Sequence, residues 1–359
     1  MCFGHVESVP DGTKTLDPVT HLLTGACLGR AGLNRKTGLA TLTLTLAAEA
    51  PDIDVVAYFW GSIAGLQHHR GFTHALVGIP LIGALVVAGV YGIYRFRSRS
   101  GWQPRLPSRW ALLFGYACLA VAVHMLQDFS NNYGLRPFTP FNPKWYSGDL
   151  VFIIDPLMLI ALTAGLVLPF LFGLISEEVG AKKSRFRGTG GARFALACVI
   201  ILIVARAYEH GRAVTALKSL TYSGENAVRV SAFPNPLNLF SWNGVVETPD
   251  FFEVVPVDSS AGEVDPHNLA VVRYKPQETA ITLAAKKSQL GHVYLDWAEY
   301  PLVQEARLAG GRYLVTFADL RFTSAEALRR RRSSPLTGYV ILDSRLHVEE
   351  QGTGPPPED

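Results

Sequence analysis

The chain has 359 residues, 48% of them hydrophobic and 18% charged, with a formal net charge of +3. That charged share lies below the roughly 25% of an ordinary soluble domain, and so small a net charge gives no reason to expect a nucleic-acid partner. The four cysteines, Cys2, Cys27, Cys118 and Cys198, have no CxxC spacing, and three sit inside apolar runs, which argues against a disulfide framework or a zinc knuckle.

Residues 1–16 are polar and lack the apolar core of a signal peptide, so they read as an N-terminal extension. A membrane-spanning helix needs ~20 mostly apolar residues. Two interrupted segments come first. Residues 17–33 contain Asp17, His21 and Arg30, and 37–60 contain Glu49, Asp52 and Asp54. The runs at 74–94, 110–127 and 150–175 are clear candidate spans, and 193–209 is shorter but dense in Ile, Val and Leu. The expectation is a polytopic α-helical membrane domain of five or six spans over 17–215, with interfacial helices as the alternative for the first two segments. Residues 220–350 alternate apolar and polar positions in "NAVRVSAF", "HNLAVVRY", "GRYLVTFADLRF" and "TGYVILDSRLHV", which predicts a smaller β-rich (α+β) domain with a helix near 276–290. Residues 351–359 read as a disordered tail.

Short basic loops favour the cytoplasmic side. Arg95, Arg97, Arg99, Arg105 and Arg109 form one such loop, Lys182, Lys183, Arg185, Arg187 and Arg193 another, and Arg30, Arg35 and Lys36 a basic turn of matching parity. With these inside, "PDID", "HHRGFTH", "HMLQDFSNNYG" and His21 all fall on the opposite, extracytoplasmic face, together with the β-rich domain.

The chemistry-bearing residues therefore converge on one side. His124 and Asp128 are i and i+4 on a helix and share a face, which suits two ligands of one ion or a hydrogen-bonded pair. Asp52 and Asp54 offer oxygen ligands or a helix N-cap. In "HHRGFTH", Gly71 permits a turn between His69 and His74, Thr73 could cap the following helix, and His68 reads as a bystander. Arg70 could hold an anionic substrate bidentately; a basic turn touching lipid headgroups is the competing reading. Asn131, Asn132, Tyr133 and Arg136 follow Asp128 and could line a substrate entrance. Asp155 could accept a hydrogen bond from a histidine ligand. The chain shows no GxSxG, Walker loop, strand-linked GxGxxG or HExxH.

"DPVTHLLTG", "PDID", "HRGFTH" and "HMLQDFSNNYGLRPFTPF", in this order, resemble the YdjM-like family of predicted bacterial inner-membrane metal-dependent hydrolases. "RAYEHGRAV" and "FPNPLNLFSWNGVVET" resemble its downstream pattern. The resemblance implies an inner-membrane location and metal-binding roles for His21, Asp52, Asp54, His69, His74, His124 and Asp128. The function expected is hydrolysis of an ester or phosphoester, of a lipid or lipid-linked substrate, at the outer leaflet. Zinc is the first candidate ion, with manganese or magnesium as alternatives. Asp54 is the candidate general base, and Arg70, Asn132 and Arg136 the candidate substrate contacts. The rival expectation is divalent-cation transport or metal binding without hydrolysis. The sequence specifies no oligomeric state.

Overall fold

The computed structural model describes residues 17–178, 188–222, 224–265, 269–330, 334 and 336–357. The N-terminal extension and Lys182, Lys183, Arg185 and Arg187 of the second basic loop lie outside the described residues.

The helical part comprises α1 (Pro18–Arg30), α2 (Ala40–Glu49), α3 (Ser62–His68), α4 (Gly78–Ser98), α5 (Trp110–Ser130), α6 (Pro156–Glu178) and α7 (Thr189–Lys218). Among the described residues, α4, α5 and α7 are long and apolar enough to cross a membrane, and α6 is apolar over Pro156–Phe172. The first two segments differ from expectation. α1 has 13 residues and α2 has 10, about 20 and 15 Å at ~1.5 Å per residue, against a hydrocarbon core of ~30 Å. Neither crosses as a single helix. α2 stops because Pro51 cannot donate to an α-helical ladder; the chain continues as a 3₁₀ segment, Ala50–Trp60.

α1 and α2 meet with no room for side chains between them. A Cβ on Gly25 would lie 2.5 Å from Leu44 O, and one on Gly29 would lie 2.7 Å from Thr41 Cα. The two glycines are four apart on α1, a small-xxx-small stripe that lets backbones approach. Leu44 and Ala47 of α2, Ile82 of α4 and Leu113, Ala117, Ala120 and Val121 of α5 fill the core beneath.

Among the described residues, Arg193, Arg35 and the segment around Pro107 meet at one end of this bundle. Arg193 Nε donates to Ala31 O at 2.7 Å, Arg35 to Thr189 Oγ1 at 3.1 Å, and Gly38 N to Pro107 O at 3.1 Å. The C-terminal ends of α2 and α5, which carry the acidic residues, lie at the other.

The C-terminal region holds two antiparallel sheets. One comprises β1 (Arg229–Pro234), β2 (Ser241–Glu247), β3 (Phe251–Asp258) and β4 (Glu263–Val264) in that order, with β5 (Val271–Tyr274) also pairing with β3; the other comprises β6 (Pro301–Arg307), β7 (Tyr313–Asp319), β8 (Thr337–Leu342) and β9 (Val348–Thr353). The helix expected near 276–290 is two, α8 (Ala280–Lys286) and α9 (Gln289–Trp297), because Ser288 takes a β conformation and caps α9 by accepting from Gly291 N. A short α10 (Ala325–Arg329) follows β7. β9 runs through Thr353, so it takes in three residues assigned above to a disordered tail.

This region is locked onto the helical part. Leu66 and Tyr133 share a core with Trp297, Phe317 and Val340. Arg206 of α7 donates to Asn235 O at 3.0 Å and Pro236 O at 3.4 Å, and its guanidinium lies 5.9 Å from the Trp242 ring. The Pro-Asn-Pro turn and Trp242 therefore dock on the last long helix.

Candidate metal centre

The site forms where four elements meet: the 3₁₀ segment after α2, the loop after α3, the end of α5 and the side of α1. Along a 3₁₀ segment successive residues turn by about 120°, so positions two apart diverge. Asp52 faces α5, and Asp54 faces the 68–74 loop. His124 and Asp128 share one face of α5, as i,i+4 spacing requires. His74 does not open the following span: it ends a short 3₁₀ turn, Phe72–His74, and α4 begins only at Gly78. Thr73 makes no capping bond; its hydroxyl donates to Asp54 Oδ2 at 2.9 Å.

Four atoms converge. His74 Nε2 lies 3.0 Å from His124 Nε2, 3.3 Å from Asp52 Oδ1 and 3.2 Å from Asp128 Oδ2. His124 Nε2 lies 3.7 Å from Asp52 Oδ1 and 3.3 Å from Asp128 Oδ2. Ligands at ~2.0–2.1 Å around a tetrahedral ion would stand about 3.3–3.4 Å apart. His74, His124 and Asp128 are fully buried and Asp52 nearly so.

The hydrogen bonds behind the cage fix its chemistry. His124 Nδ1 lies 2.7 Å from Ala48 O, a carbonyl that can only accept, so Nδ1 carries the proton. His74 Nδ1 lies 3.2 Å from Asp54 Oδ2, which also accepts from Thr73 Oγ1 and, at 2.8 Å, from Arg70 N. In the neutral rings both Nε2 atoms then present lone pairs to each other at 3.0 Å. Asp52 Oδ1 and Asp128 Oδ2 are buried with no hydrogen-bond donor. Two facing lone pairs and two orphaned carboxylate oxygens are repulsive unless a cation sits among them. Asp52, Asp54 and Asp128 against Arg70 leave an excess of two negative charges, which a divalent ion would neutralise. The donor set fits a metal.

The other sequence candidates stand around this cage. His21 Nε2 lies 3.4 Å from Asp128 Oδ1, and its Nδ1 lies 3.2 Å from Gln127 Oε1, held in turn by a bond from Gln127 Nε2 to Thr24 Oγ1. Asp54 is not one of the four converging residues; its oxygens bind His69 Nδ1 at 3.1 Å and the His74 side. His69 is buried outside the cage, its ring centre 6.1 Å from that of His74 and 5.4 Å from that of Tyr133. His68 is exposed.

Arg70 does not reach out to solvent. It is buried, donates to Asp128 Oδ1 at 2.8 Å, Asn131 Oδ1 at 3.0 Å and Gly134 O at 3.1 Å, and lies 4.8 Å from the Tyr133 ring centre. It clamps Asp128 and the loop that follows. The positive φ of the turn falls on Arg70 (φ 52), not on Gly71. Gly71 is needed for space: an added Cβ would lie 3.1 Å from Arg136 Nη2 and 3.1 Å from His68 O. Asn132 is fully buried, and neither end of its amide has a partner. Arg136 turns toward the β-rich domain, 4.7 Å above the Trp145 ring centre and 3.9 Å from Asp296. Asp155 binds no histidine: it caps α6 through Leu157 N and Met158 N and pairs with Arg206 at 3.3 Å.

Sequence reasoning missed Gln127, the Ala48 carbonyl, and the grip of the C-terminal region on the site loop. Gln127 was legible as a polar residue in an apolar helix. A backbone acceptor leaves no trace in residue type. Trp297 Nε1 donates to Tyr133 O at 3.2 Å and Arg321 to Asn132 O at 3.3 Å, across 164 and 189 residues.

These features define a helical membrane protein with a β-rich C-terminal region and a buried His/Asp cluster suited to a metal ion. The model of the YdjM inner membrane protein family matches residues 16–213, and the chain belongs to that family. It is also 28% identical over 166 residues to the uncharacterized protein YfhP of Bacillus subtilis (strain 168), a match covering 44% of this chain and 47% of that protein. The chain thus aligns with about half the length of that relative. No solved structure matches.

Proposed function

We propose that the protein is a metal-dependent hydrolase of the inner membrane, cleaving an ester or phosphoester of a lipid or lipid-linked substrate at the extracytoplasmic face. The observation that carries this reading is the pair of histidine Nε2 atoms facing each other, 3.0 Å apart, beside two orphaned carboxylate oxygens. His74, His124, Asp52 and Asp128 would hold the ion. Zinc suits two imidazoles and two carboxylates, manganese is the alternative, and magnesium favours all-oxygen sets. The guanidinium on Asp128 Oδ1 favours one ion over a bridged pair, since a second cation there would meet Arg70.

Held by these four residues and taking up a water in addition, a divalent ion would supply Lewis acidity and lower the pKa of that water toward ~7. The chain's own residues do the rest. Asp54 holds His69 by Nδ1, which leaves its Nε2 free to accept the proton that water gives up, so His69 rather than Asp54 is the general base in this reading. Arg70 fixes Asp128, and the unpaired Asn132 amide, in the loop that follows Asp128, is left to meet a substrate oxygen. Exposed Phe59, Trp60, Phe72, Phe138 and Phe141 flank the segments that build the site; aromatic rings favour the lipid–water boundary, which supports a lipid substrate. With the three basic stretches cytoplasmic, the site and the β-rich region are outside. Transport is less well supported: Leu44, Ala47, Leu113, Ala117, Ala120 and Val121 pack into an apolar core beneath the cage, whereas a permeation path needs polar groups there, of which Glu49 is the chief ionisable one.

The test is hydrolysis of a panel of phospholipids, lipid-linked phosphates and carboxyl esters by detergent-purified protein. Metal-dependent turnover that chelation and His74→Ala abolish is expected. A metal-loaded protein inert on the whole panel would overturn the hydrolase reading.

A further inference from the structure

A cavity of about 640 Å³ lies between the loop after α5 and the β-rich region, within the roughly 300–1,000 Å³ usual for small-ligand sites. Its walls carry the aromatic rings of Tyr133, Trp145, Tyr146 and Trp297. The charged lining residues are matched: Lys144, Arg229 and Arg321 against Asp149, Asp296 and Glu299. Most already have partners. Arg229 binds Glu247 at 2.9 Å and Glu299 at 3.5 Å, Arg321 binds Asp319 at 2.8 Å, and Asp296 accepts from Trp145 Nε1 at 3.1 Å.

Asp149 keeps one oxygen unpaired. Its Oδ1 is buried with no hydrogen-bond partner, and its backbone is held at φ 54. A buried acceptor without a donor is costly, and a non-glycine residue at positive φ persists only where its surroundings impose it. An anionic ligand would meet Asp149, Asp296 and Glu299; a cationic one would meet Arg229 and Arg321. The ligand that matches balanced charge, aromatic walls and an acceptor awaiting a donor is neutral, rich in hydroxyls and flat on one apolar face.

We propose that this cavity binds a neutral sugar ring, packed on Trp145 and Tyr146 with a hydroxyl donating to Asp149. Tyr133 is shared between the two sites: it lines the cavity, and its ring centre lies 5.4 Å from that of His69 and 4.8 Å from the Arg70 guanidinium. The cavity would then hold the carbohydrate part of a glycosylated substrate, a role that rests on the hydrolase reading; sugar binding itself does not.

The experiment is calorimetric titration of the full chain, in a detergent without a sugar headgroup, with glucose, galactose, mannose and N-acetylglucosamine. Inorganic phosphate and choline serve as charged controls, and bound metal is measured on the same samples. At least one sugar is expected to bind saturably, about tenfold or more weakly in Asp149→Ala and in Trp145→Ala, with metal content unchanged in both. Both variants must elute as the wild type does, and Trp145→Ala, at a half-buried position, covers any folding loss in Asp149→Ala. Binding of none of the four sugars, binding of phosphate or choline with equal affinity, or undiminished binding in both variants would overturn the proposal, while the metal readings would still judge the hydrolase site separately.

Discussion

Asp54→Asn is expected to weaken metal affinity by about 10–100-fold, the usual consequence of losing an orienting partner, while Asp128→Ala should abolish binding. Competition with a calibrated chelator reads the difference. The distinction follows from geometry: Asp128 Oδ2 faces the cage without a donor, whereas both Asp54 oxygens are already engaged. The DxD spacing was visible in the sequence, but the division of labour depends on the 3₁₀ turn, which residue types alone do not specify. Asp149 gives a second prediction at this scale. Burial, then the neighbouring Glu299, pushes its carboxyl from 3.8 up to about 7, with Asp319 adding to the rise and Ser147 and Arg321 opposing it. The unfolded chain ionises this group above about pH 4 and the folded chain only near pH 7, so its contribution to stability falls across that window and stays low above it. Asp149→Asn should flatten that part of the melting-temperature profile and raise the melting temperature at pH 8; an unchanged profile would refute the assignment.

Gly25 and Gly29 let α1 lie directly on α2, and that contact holds the end of α2, and Asp52 just beyond it, close to α1. Gly25→Leu is expected to force the two helices apart, with loss of the folded protein or of its metal; size-exclusion and metal content read this together. Elements that expose one face were legible. β1, β7 and β8 and the apolar stretches of α4, α5 and α7 appear where alternation or length signalled them. β3 was not legible: Phe251–Val255 are buried without a break, so the period of two that betrays a half-exposed strand is missing. α1 and α2 read as spans because composition cannot tell a membrane-crossing helix from a short one packed among others. Pro51 and the Gly32 turn, with φ 134, decide their lengths.

The C-terminal region is tied to the site by contacts that span much of the chain. Arg321 is buried, pairs with Asp319 at 2.8 Å, and donates to Trp297 O at 3.0 Å and Asn132 O at 3.3 Å. Removing one partner of such a pair costs roughly 3–5 kcal/mol. Arg321→Ala is therefore expected to destabilise the C-terminal region and to loosen the Asn131–Gly134 loop beside Asp128, lowering metal affinity from outside the cage. Of the site as a whole, the cast of aspartates and histidines was legible, because ionisable groups bordering apolar runs are conspicuous. Which four converge was not, because that depends on how α2, α5 and two irregular segments pack.

Metal analysis of the full chain purified in detergent addresses this most directly. The geometry predicts about one tightly held divalent ion per chain, retained in His68→Ala and lost in His74→Ala with the fold intact. Wild-type protein that stays folded and carries no ion, and that takes up none when zinc or manganese is supplied, would contradict the account.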